Sequence, residues 1–204
     1  LMAKTSIVLI ATKPFVIKNV IDEIKDKIRN HLVISILAGV SLKFYEQNLP
    51  NTRVVRVMPN TPALVEEGMS AVCKGSFAYD YDAEFVYNMF SKLGRAIYID
   101  EKDIDVVTAI SGSGPAFYYY IIEKIAAAGK MLGLDYKTAL ELSAQTALGS
   151  AKMMFKTPDT PEELIRAVTT PGGCTEVGNN VLSNSNIEEV LFKTIKRTME
   201  KARK

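Results

Sequence analysis

Short apolar runs alternate with amphipathic stretches through the first half of the chain. The first run, at residues 5–11, is continuous, as is typical of a parallel strand that is buried on both faces. Between the runs, apolar residues recur at every third or fourth position, which predicts helices. We predict strands at residues 5–11, 32–37, 53–58, 69–73 and 96–99, and helices at residues 14–28, 41–47 and 82–93, with Ser41 as an N-cap. Strand and helix in turn indicate an α/β fold with a parallel, doubly wound sheet.

Three loops follow the first three predicted strands. They comprise residues 12–14, 38–40 and 59–61, and each contains small or turn-forming residues that let a ligand approach the backbone. Sheets of this kind bind ligands beyond the carboxyl ends of their strands. We therefore expect a ligand site where these loops leave the sheet.

The pattern changes after Asp100, and no convincing strand follows in the sequence. Helical periodicity predicts helices at residues 101–133, 137–155, 160–168, 171–182 and 187–203, the first of them interrupted at residues 111–115. We therefore predict a sheet domain over residues 1–99 and a helical domain over residues 100–204. The helices carry more apolar and small residues than one small bundle can bury, so we expect a partner chain.

Charge and cysteine content argue against several classes of protein, namely nucleic-acid-binding, disulfide-rich and zinc-binding proteins. The 204 residues carry a net charge of +2 with basic and acidic residues interleaved, which argues against nucleic-acid binding. No apolar run approaches the length of about 18 residues that a membrane span needs. Cys73 and Cys174 lie far apart and form neither a disulfide framework nor a zinc pattern, as expected of a reduced, cytoplasmic protein. The single histidine, His31, lies in a polar stretch and is predicted at the surface, and no metal site or Ser-His-Asp triad is expected.

An unusual motif, SGSGP at residues 111–115, interrupts the first predicted helix of the second half. Two glycines and a proline lower helix propensity by several kcal/mol in order of magnitude. The motif is either a loop between two helices or a kink that lets another backbone or a ligand come close. The residues alone leave both interpretations open.

A second motif, TPGG at residues 170–173, favours a helix start. Thr170 can cap the helix, and Pro171 suits the first helical position. Gly172 and Gly173 expose N–H groups that no side chain covers, and helix N-termini bind anions. Because no Lys or Arg lies in the motif, we expect a small carboxylate there, although an ordinary capped helix is the alternative.

These motifs together resemble the signature of the pyrroline-5-carboxylate reductase family. The helical half contains DVVTAISGSGPAF at 105–117, QTALGSAKM at 145–153 and TTPGGCT at 169–175. The sheet half contains ATKP at 11–14, SILAGV at 35–40 and RVMPNTP at 56–62. The resemblance implies a Rossmann domain followed by an all-α dimerisation domain, homodimers that commonly assemble into a decamer, and reduction of 1-pyrroline-5-carboxylate to L-proline with NADPH or NADH.

The resemblance also implies roles for individual residues. Beside the nicotinamide it places Thr12, Lys13, Pro14, Ile36, Ala38 and Gly39. To the substrate it assigns Cys174, Thr175 and Glu101, with the Thr175 hydroxyl near the ring nitrogen as the catalytic group. The carboxylate site predicted from the helix start adds Thr170, Gly172 and Gly173. Where the family commonly has alanine or threonine, this chain has Cys174, which we interpret as a backbone donor, with a reactive thiol as the alternative.

The chain departs from the family at its start. The glycine-rich dinucleotide fingerprint is absent, and Leu1 lies within what resembles the chain just before the third or fourth family strand. We therefore expect either a truncated or cleaved chain, with a weakened grip on the cofactor's pyrophosphate, or further residues before Leu1. In the first case the sheet domain is a partial Rossmann domain that lacks its first strands.

Two other functions remain open at this point. A related dehydrogenase of the β-hydroxyacid type joins a Rossmann domain to helices and uses a lysine catalyst, for which Lys130 and Lys152 are candidates. Alternatively, the chain is a folded, dimeric assembly module without activity.

Overall fold

The computed structural model describes residues 4–203, and five strands of this part form one sheet in sequential order. The strands are β1 (Ile7–Ile10), β2 (Leu32–Ser35), β3 (Arg53–Met58), β4 (Gly68–Lys74) and β5 (Gly94–Tyr98). All five predicted strands are confirmed. The predicted burial of the first strand on both faces is wrong, because Ile7 and Leu9 of β1 are exposed, whereas β2 is buried along its whole length.

The sheet is mixed, in contrast to the wholly parallel sheet that the sequence predicts. β1, β2 and β3 are parallel to one another, whereas β4 runs antiparallel to β3 and β5 runs parallel to β4. The chain between β3 and β4 comprises only residues 59–67. A parallel crossover needs about a dozen residues or more, so this short connection reverses the chain direction.

Helices cover both faces of the sheet, as predicted. On one face, Val33, Val54 and Cys73 form a buried cluster with residues of α1 (Ile17–Ile24) and α2 (Leu42–Asn48). On the other face, Ile34, Val55, Val57 and Val72 pack against α3 (Asp80–Phe90). Ser41 is confirmed as the N-cap of α2, since its Oγ accepts a hydrogen bond from the Phe44 N–H at 3.2 Å.

His31 is buried, and the prediction that it lies at the surface is wrong. Its exposed fraction is 7%, and its Nδ1 accepts a hydrogen bond from the Arg29 N–H at 3.1 Å. The polar neighbours suggested exposure, but the chain enters the sheet at Leu32, directly after this histidine. The side chain satisfies the backbone at that entry and lies outside the candidate site described below.

The segment with the SGSGP motif is a π-helical turn rather than a loop. After α4 (Ile104–Val107), residues Thr108–Gly112 form the π turn, and α5 (Gly114–Met131) follows. The turn is closed by a 2.8 Å hydrogen bond from the Ser113 N–H to the Thr108 carbonyl, five residues earlier. Such turns within helices are frequent at functional sites.

The remaining helices are α6 (Tyr136–Lys156), α7 (Pro161–Ala167), α8 (Cys174–Ser183) and α9 (Ile187–Ala202). The chain forms two compact units: one runs to Pro115 and resumes at Ile195, and the other comprises Ala116–Thr194. The predicted domain boundary between residues 99 and 100 follows directly after β5 and stays a prediction. Within the described residues, no helix is long and apolar enough to cross a membrane.

The second unit leaves most of its large apolar side chains exposed. α5 and α6 approach closely, because a Cβ placed on Gly129 would lie 3.2 Å from the Cβ of Ala139. The Ser143 hydroxyl donates to the Ile122 carbonyl at 3.0 Å. Exposed side chains of this unit include Tyr118, Tyr119, Tyr120, Ile125, Leu142, Met154 and Phe155. A surface of this kind marks a site of protein association.

Candidate active site

A cleft of about 600 Å³ lies where β1, β2 and β3 end. The cleft is lined by Leu9 of β1, Ile36 after β2 and Pro59 after β3. Its wall also includes Leu64 and Gly112. The parallel strands bring these residues to one edge of the sheet, which is the edge that the sequence predicts for ligand binding. The walls are mainly apolar, as is common in cofactor pockets.

Residues 12–14 and 38–39 follow β1 and β2 at the same edge of the sheet. Ile10 pairs with Ser35, so the chain segments after β1 and β2 emerge side by side. Thr12 and Lys13 are exposed, and Pro14 begins a 3-10 turn. Of the six residues predicted to bind cofactor, Ile36 lines the cleft and Gly39 lines a separate cavity with Arg56 and Glu101. The others lie in the loops after β1 and β2, and their contact with a cofactor stays a prediction.

The loop after β2 is held by buried polar contacts. The Leu37 N–H donates to Ser35 Oγ at 3.3 Å, and Ser35 Oγ lies 2.6 Å from the Tyr45 hydroxyl. Burial raises the pKa of Tyr45 above its ordinary value, so this phenol stays protonated. Gly39 has φ of +71°, a left-handed conformation that favours glycine. These buried contacts thus hold the backbone of the loop after β2 in one conformation.

Glu101 links the segment after β2 to β3 through two hydrogen bonds. Its Oε1 accepts hydrogen bonds from the Leu42 N–H at 2.5 Å and from Arg56 Nη1 at 2.9 Å. The Arg56 side chain is only 4% exposed, and that of Glu101 is 30% exposed. The carboxylate satisfies the first turn of α2 and neutralises a buried guanidinium, so it has a clear structural role. Its predicted contact with substrate stays a prediction.

The start of α8 differs from the prediction. Thr170 does not cap this helix, which begins at Cys174 with Gly173 as its N-cap. Residues 170–173 instead form a β-turn, in which the Gly173 N–H donates to the Thr170 carbonyl at 2.9 Å and Gly172 has φ of +73°. Proline followed by a glycine with positive φ favours a type II turn, and this turn delays the helix.

Two of the predicted substrate donors have partners inside the chain. The Gly173 N–H closes the turn, and the Gly172 N–H donates to Glu176 Oε2 at 2.8 Å. The N–H groups of Cys174 and Thr175 belong to the first turn of α8, where no intrahelical acceptor exists. Cys174 is exposed and Thr175 is half-buried. The Glu176 N–H also lacks an intrahelical acceptor, so the helix start presents three adjacent N–H groups and the Thr175 hydroxyl.

Sequence reasoning missed Glu176 and the contacts of Asn60. Glu176 is the third residue after the N-cap Gly173, the spacing at which a carboxylate reaches back in a capping box, and that spacing is a usable signal. Asn60 lines the cleft and contacts both Met69 and Ser111. The predicted ligand loop at residues 59–61 includes Asn60, but its contact with Ser111, 51 residues away, has no local signal.

Comparison with known proteins decides the family. Residues 101–204 match the family model described as pyrroline-5-carboxylate reductase dimerisation. A pyrroline-5-carboxylate reductase of Methanosarcina acetivorans is 40% identical over 205 residues, and the match covers 100% of this chain and 76% of that protein. The chain belongs to the pyrroline-5-carboxylate reductase family.

Solved structures agree with this assignment for both halves of the chain. The crystal structure of Plasmodium falciparum pyrroline carboxylate reductase with NADP bound has a TM-score of 0.90 at 33% identity, covering 100% of this chain and 78% of that one. The Coxiella burnetii pyrroline-5-carboxylate reductase has a TM-score of 0.93 at 34% identity, covering 98% of this chain and 76% of that one.

The cleft fits the nicotinamide end of a dinucleotide. A flat ring requires apolar walls and close access to backbone, and the cleft offers Leu9, Ile36 and Leu64 together with the bare backbone of Gly112. The loop at residues 12–14, which follows β1 at the same edge of the sheet, exposes the polar side chains of Thr12 and Lys13. The position at the carboxyl ends of parallel strands is the one at which such folds bind dinucleotides.

Proposed function

We propose that this chain reduces 1-pyrroline-5-carboxylate to L-proline with NAD(P)H, the last step of proline biosynthesis. The observation that carries the proposal is the similarity to pyrroline-5-carboxylate reductases along the entire chain, at 40% identity to the archaeal relative. A binding edge on the sheet and a helix start with free N–H groups both lie within that similarity. They are the two kinds of site that the reaction requires.

In the proposed mechanism, the helix start holds the substrate. The N–H groups of Cys174 and Thr175 bind the carboxylate, since the positive end of a helix stabilises an anion. The Thr175 hydroxyl forms a hydrogen bond with the ring nitrogen, because a hydroxyl both donates and accepts. The protonated imine is already a good hydride acceptor, so orientation matters more than a strong acid.

The sheet edge binds the cofactor in this proposal. When bound, the nicotinamide supplies the hydride that adds to the C=N carbon of the substrate. Ile36 and the backbone of Ala38 and Gly39 would hold the ring and limit the access of water. Thr12 and Lys13 would hold the riboside with their exposed polar groups, while Pro14 restricts the conformation of that loop.

The assembly is part of the proposal. We propose a homodimer formed through the helical half, because exposed aromatic and aliphatic side chains on α5 and α6 need a cover. Dimers of this kind would assemble further into a decamer. Both Cys73 and Cys174 are free thiols, which suits the cytoplasm as the compartment. Sedimentation at micromolar concentration should show a dimer or a larger species, and a stable folded monomer would contradict the proposed dimer.

The activity is tested by mixing the full-length protein with NADPH and 1-pyrroline-5-carboxylate and measuring both NADPH oxidation and L-proline. We expect stoichiometric formation of proline. A β-hydroxyacid with NADP is the matched control for the related dehydrogenase reaction and should not be turned over. Preferential oxidation of that acid, or binding of NADPH without turnover of either substrate, would contradict the proposal.

A further inference from the structure

Pro115 removes a hydrogen-bond donor from the helix that follows the π turn. In an α-helix, the N–H of residue 115 would donate to the carbonyl of Ser111, but proline has no N–H. Asn60 supplies a donor at this point, since its Nδ2 lies 3.2 Å from the Ser111 carbonyl oxygen and 3.4 Å from the Ser111 hydroxyl. An unsatisfied half-buried carbonyl would destabilise the turn, so this contact holds it.

The other end of the Asn60 amide is fixed as well. Its Oδ1 accepts a hydrogen bond from the Met69 N–H at 2.8 Å, near the start of β4. A primary amide offers donors on one atom and an acceptor on the other, and both are used here. Turning the amide over would place acceptor against acceptor and donor against donor. Asn60 therefore joins the β3–β4 connection to the π turn in one orientation.

The π turn also packs tightly on the end of β3. A Cβ placed on Gly112 would lie 2.5 Å from the Met58 Cε, so glycine allows the close approach. Asn60 and Gly112 both line the cleft at the carboxyl edge of the sheet. The position of this wall is thus set by one polar contact and one close apolar contact.

We propose that Asn60 is a positioning residue, which sets the wall of the nicotinamide cleft by holding the π turn at Ser111. This inference rests on the proposed function, because the cleft matters only if it holds the ring. Hydride transfer is sensitive to displacements of about 1 Å, which can lower a rate about 100-fold. The ring is only one part of a dinucleotide, so a displaced wall slows transfer more than it weakens binding.

The decisive variant is Asn60→Asp in the full-length protein. Aspartate keeps the acceptor for the Met69 N–H but places a carboxylate oxygen against the Ser111 carbonyl. We expect kcat to fall about 10- to 100-fold, while the Kd for NADPH and the KM for 1-pyrroline-5-carboxylate change less than about threefold. The primary isotope effect on kcat with NADPH deuterated at the transferred position should rise, because transfer becomes more strongly rate-limiting.

Asn48→Asp is the matched control. Asn48 also donates through its Nδ2 to a carbonyl, that of Phe44 at 2.7 Å, but it is exposed on α2. The same chemical change there should leave kcat and the isotope effect unaltered. If Asn60→Asp fails to fold, Asn60→Ser takes its place, since a neutral hydroxyl is too short to reach both partners and should show the same pattern.

Amide hydrogen exchange separates this inference from the proposed function. Exchange in residues 108–114 should become faster in Asn60→Asp than in Asn48→Asp, whether or not the protein reduces the substrate. A wild-type protein without turnover would overturn the proposed function. Unchanged kcat in a folded Asn60 variant would overturn the positioning role, and so would a loss of NADPH affinity equal to the loss of kcat or unchanged exchange in the π turn.

Discussion

Glu176 Oε2 accepts a 2.8 Å hydrogen bond from the Gly172 N–H, four residues earlier in the chain. The contact folds the end of the β-turn back onto the first turn of α8. The carboxylate of Glu176 occupies the Gly172 N–H, which would otherwise compete for an anion. The N–H groups of Cys174 and Thr175 remain for a ligand. Glu176, which is not among the predicted substrate residues, thus organises the proposed carboxylate site.

Replacing Glu176 should loosen that site. Glu176→Ala removes the acceptor, so the turn at Gly172 is no longer tied to the helix. We expect the KM for 1-pyrroline-5-carboxylate to rise about 10-fold, corresponding to about 1.4 kcal/mol for one hydrogen bond with a charged partner. Glu176→Gln keeps an acceptor and should change KM less than about threefold. Steady-state kinetics measures both variants, and equal values for all three proteins would contradict this role.

Removing the Thr175 hydroxyl should slow the reaction. Thr175→Ala should lower kcat/KM about 10- to 1000-fold, the loss expected for one active-site hydrogen bond of about 1.5–4 kcal/mol. Thr175→Ser retains the hydroxyl and should recover most of the activity. Thr157→Ala is the matched control, because the Thr157 hydroxyl only donates to the Met153 carbonyl at the exposed end of α6. Full activity in Thr175→Ala would rule out its proposed contact with the ring nitrogen.

The ion pair between Arg56 and Glu101 should matter for stability. Glu101→Ala leaves a guanidinium that is 4% exposed without its carboxylate, and removing one partner of a buried pair costs about 3–5 kcal/mol. Urea unfolding should show this loss. The exposed pair of Asp22 and Lys25 is the control, and Asp22→Ala should leave the unfolding midpoint almost unchanged. Equal midpoints for both variants would contradict the structural role of Glu101.

The two thiols should differ in reactivity. Cys73 is 1% exposed, and burial raises its pKa from the ordinary 9.0 to about 12, so its thiol remains protonated in the folded protein. Cys174 is exposed. At mildly alkaline pH, a thiol reagent should modify one cysteine of the native chain and the second only after unfolding. Cys174→Ser should abolish the native reaction, and rapid labelling of that variant would contradict the burial of Cys73.

The raised pKa of Cys73 also gives stability a pH dependence. The folded state keeps the proton that the unfolded state releases, so the contribution is fully present below pH 9.0 and is lost as pH rises towards about 12. Urea midpoints measured between these limits should therefore fall with pH. Cys73→Ala should lack this part of the decline, and identical pH profiles for both proteins would contradict it.

Prediction from the sequence succeeded where one local pattern decides the structure. β2 and β3 are buried on both faces, so their apolar runs identify them without any knowledge of their partners. The order of strands and helices also predicts the edge of the sheet at which the cleft lies. The direction of β4 depends instead on the length of the connection before it, and the start of α8 depends on the turn that Pro171 and Gly172 form.

Contacts between remote residues explain most of what the sequence did not reveal. Glu101 reaches partners that lie 59 and 45 residues away, at Leu42 and Arg56. Asn60 and Ser111 are 51 residues apart. Composition and periodicity describe a residue by its neighbours in the chain and contain no information on such pairs. The burial of His31 was missed for the same reason, since it follows from the sheet and not from the adjacent polar residues.

The reversal of the chain after β3 has a consequence for the order of folding. Met58 pairs with Ala71, and the hydrogen bond between Asn60 and Met69 spans only nine residues. Closing a short loop costs less entropy than closing a long one, and local contacts generally form faster. We therefore expect the hairpin of β3 and β4 to assemble early, with the amide of Asn60 already oriented. Ser111 of the π turn lies 51 residues beyond Asn60 in the chain, so we expect the turn to pack against this hairpin only after the hairpin has formed.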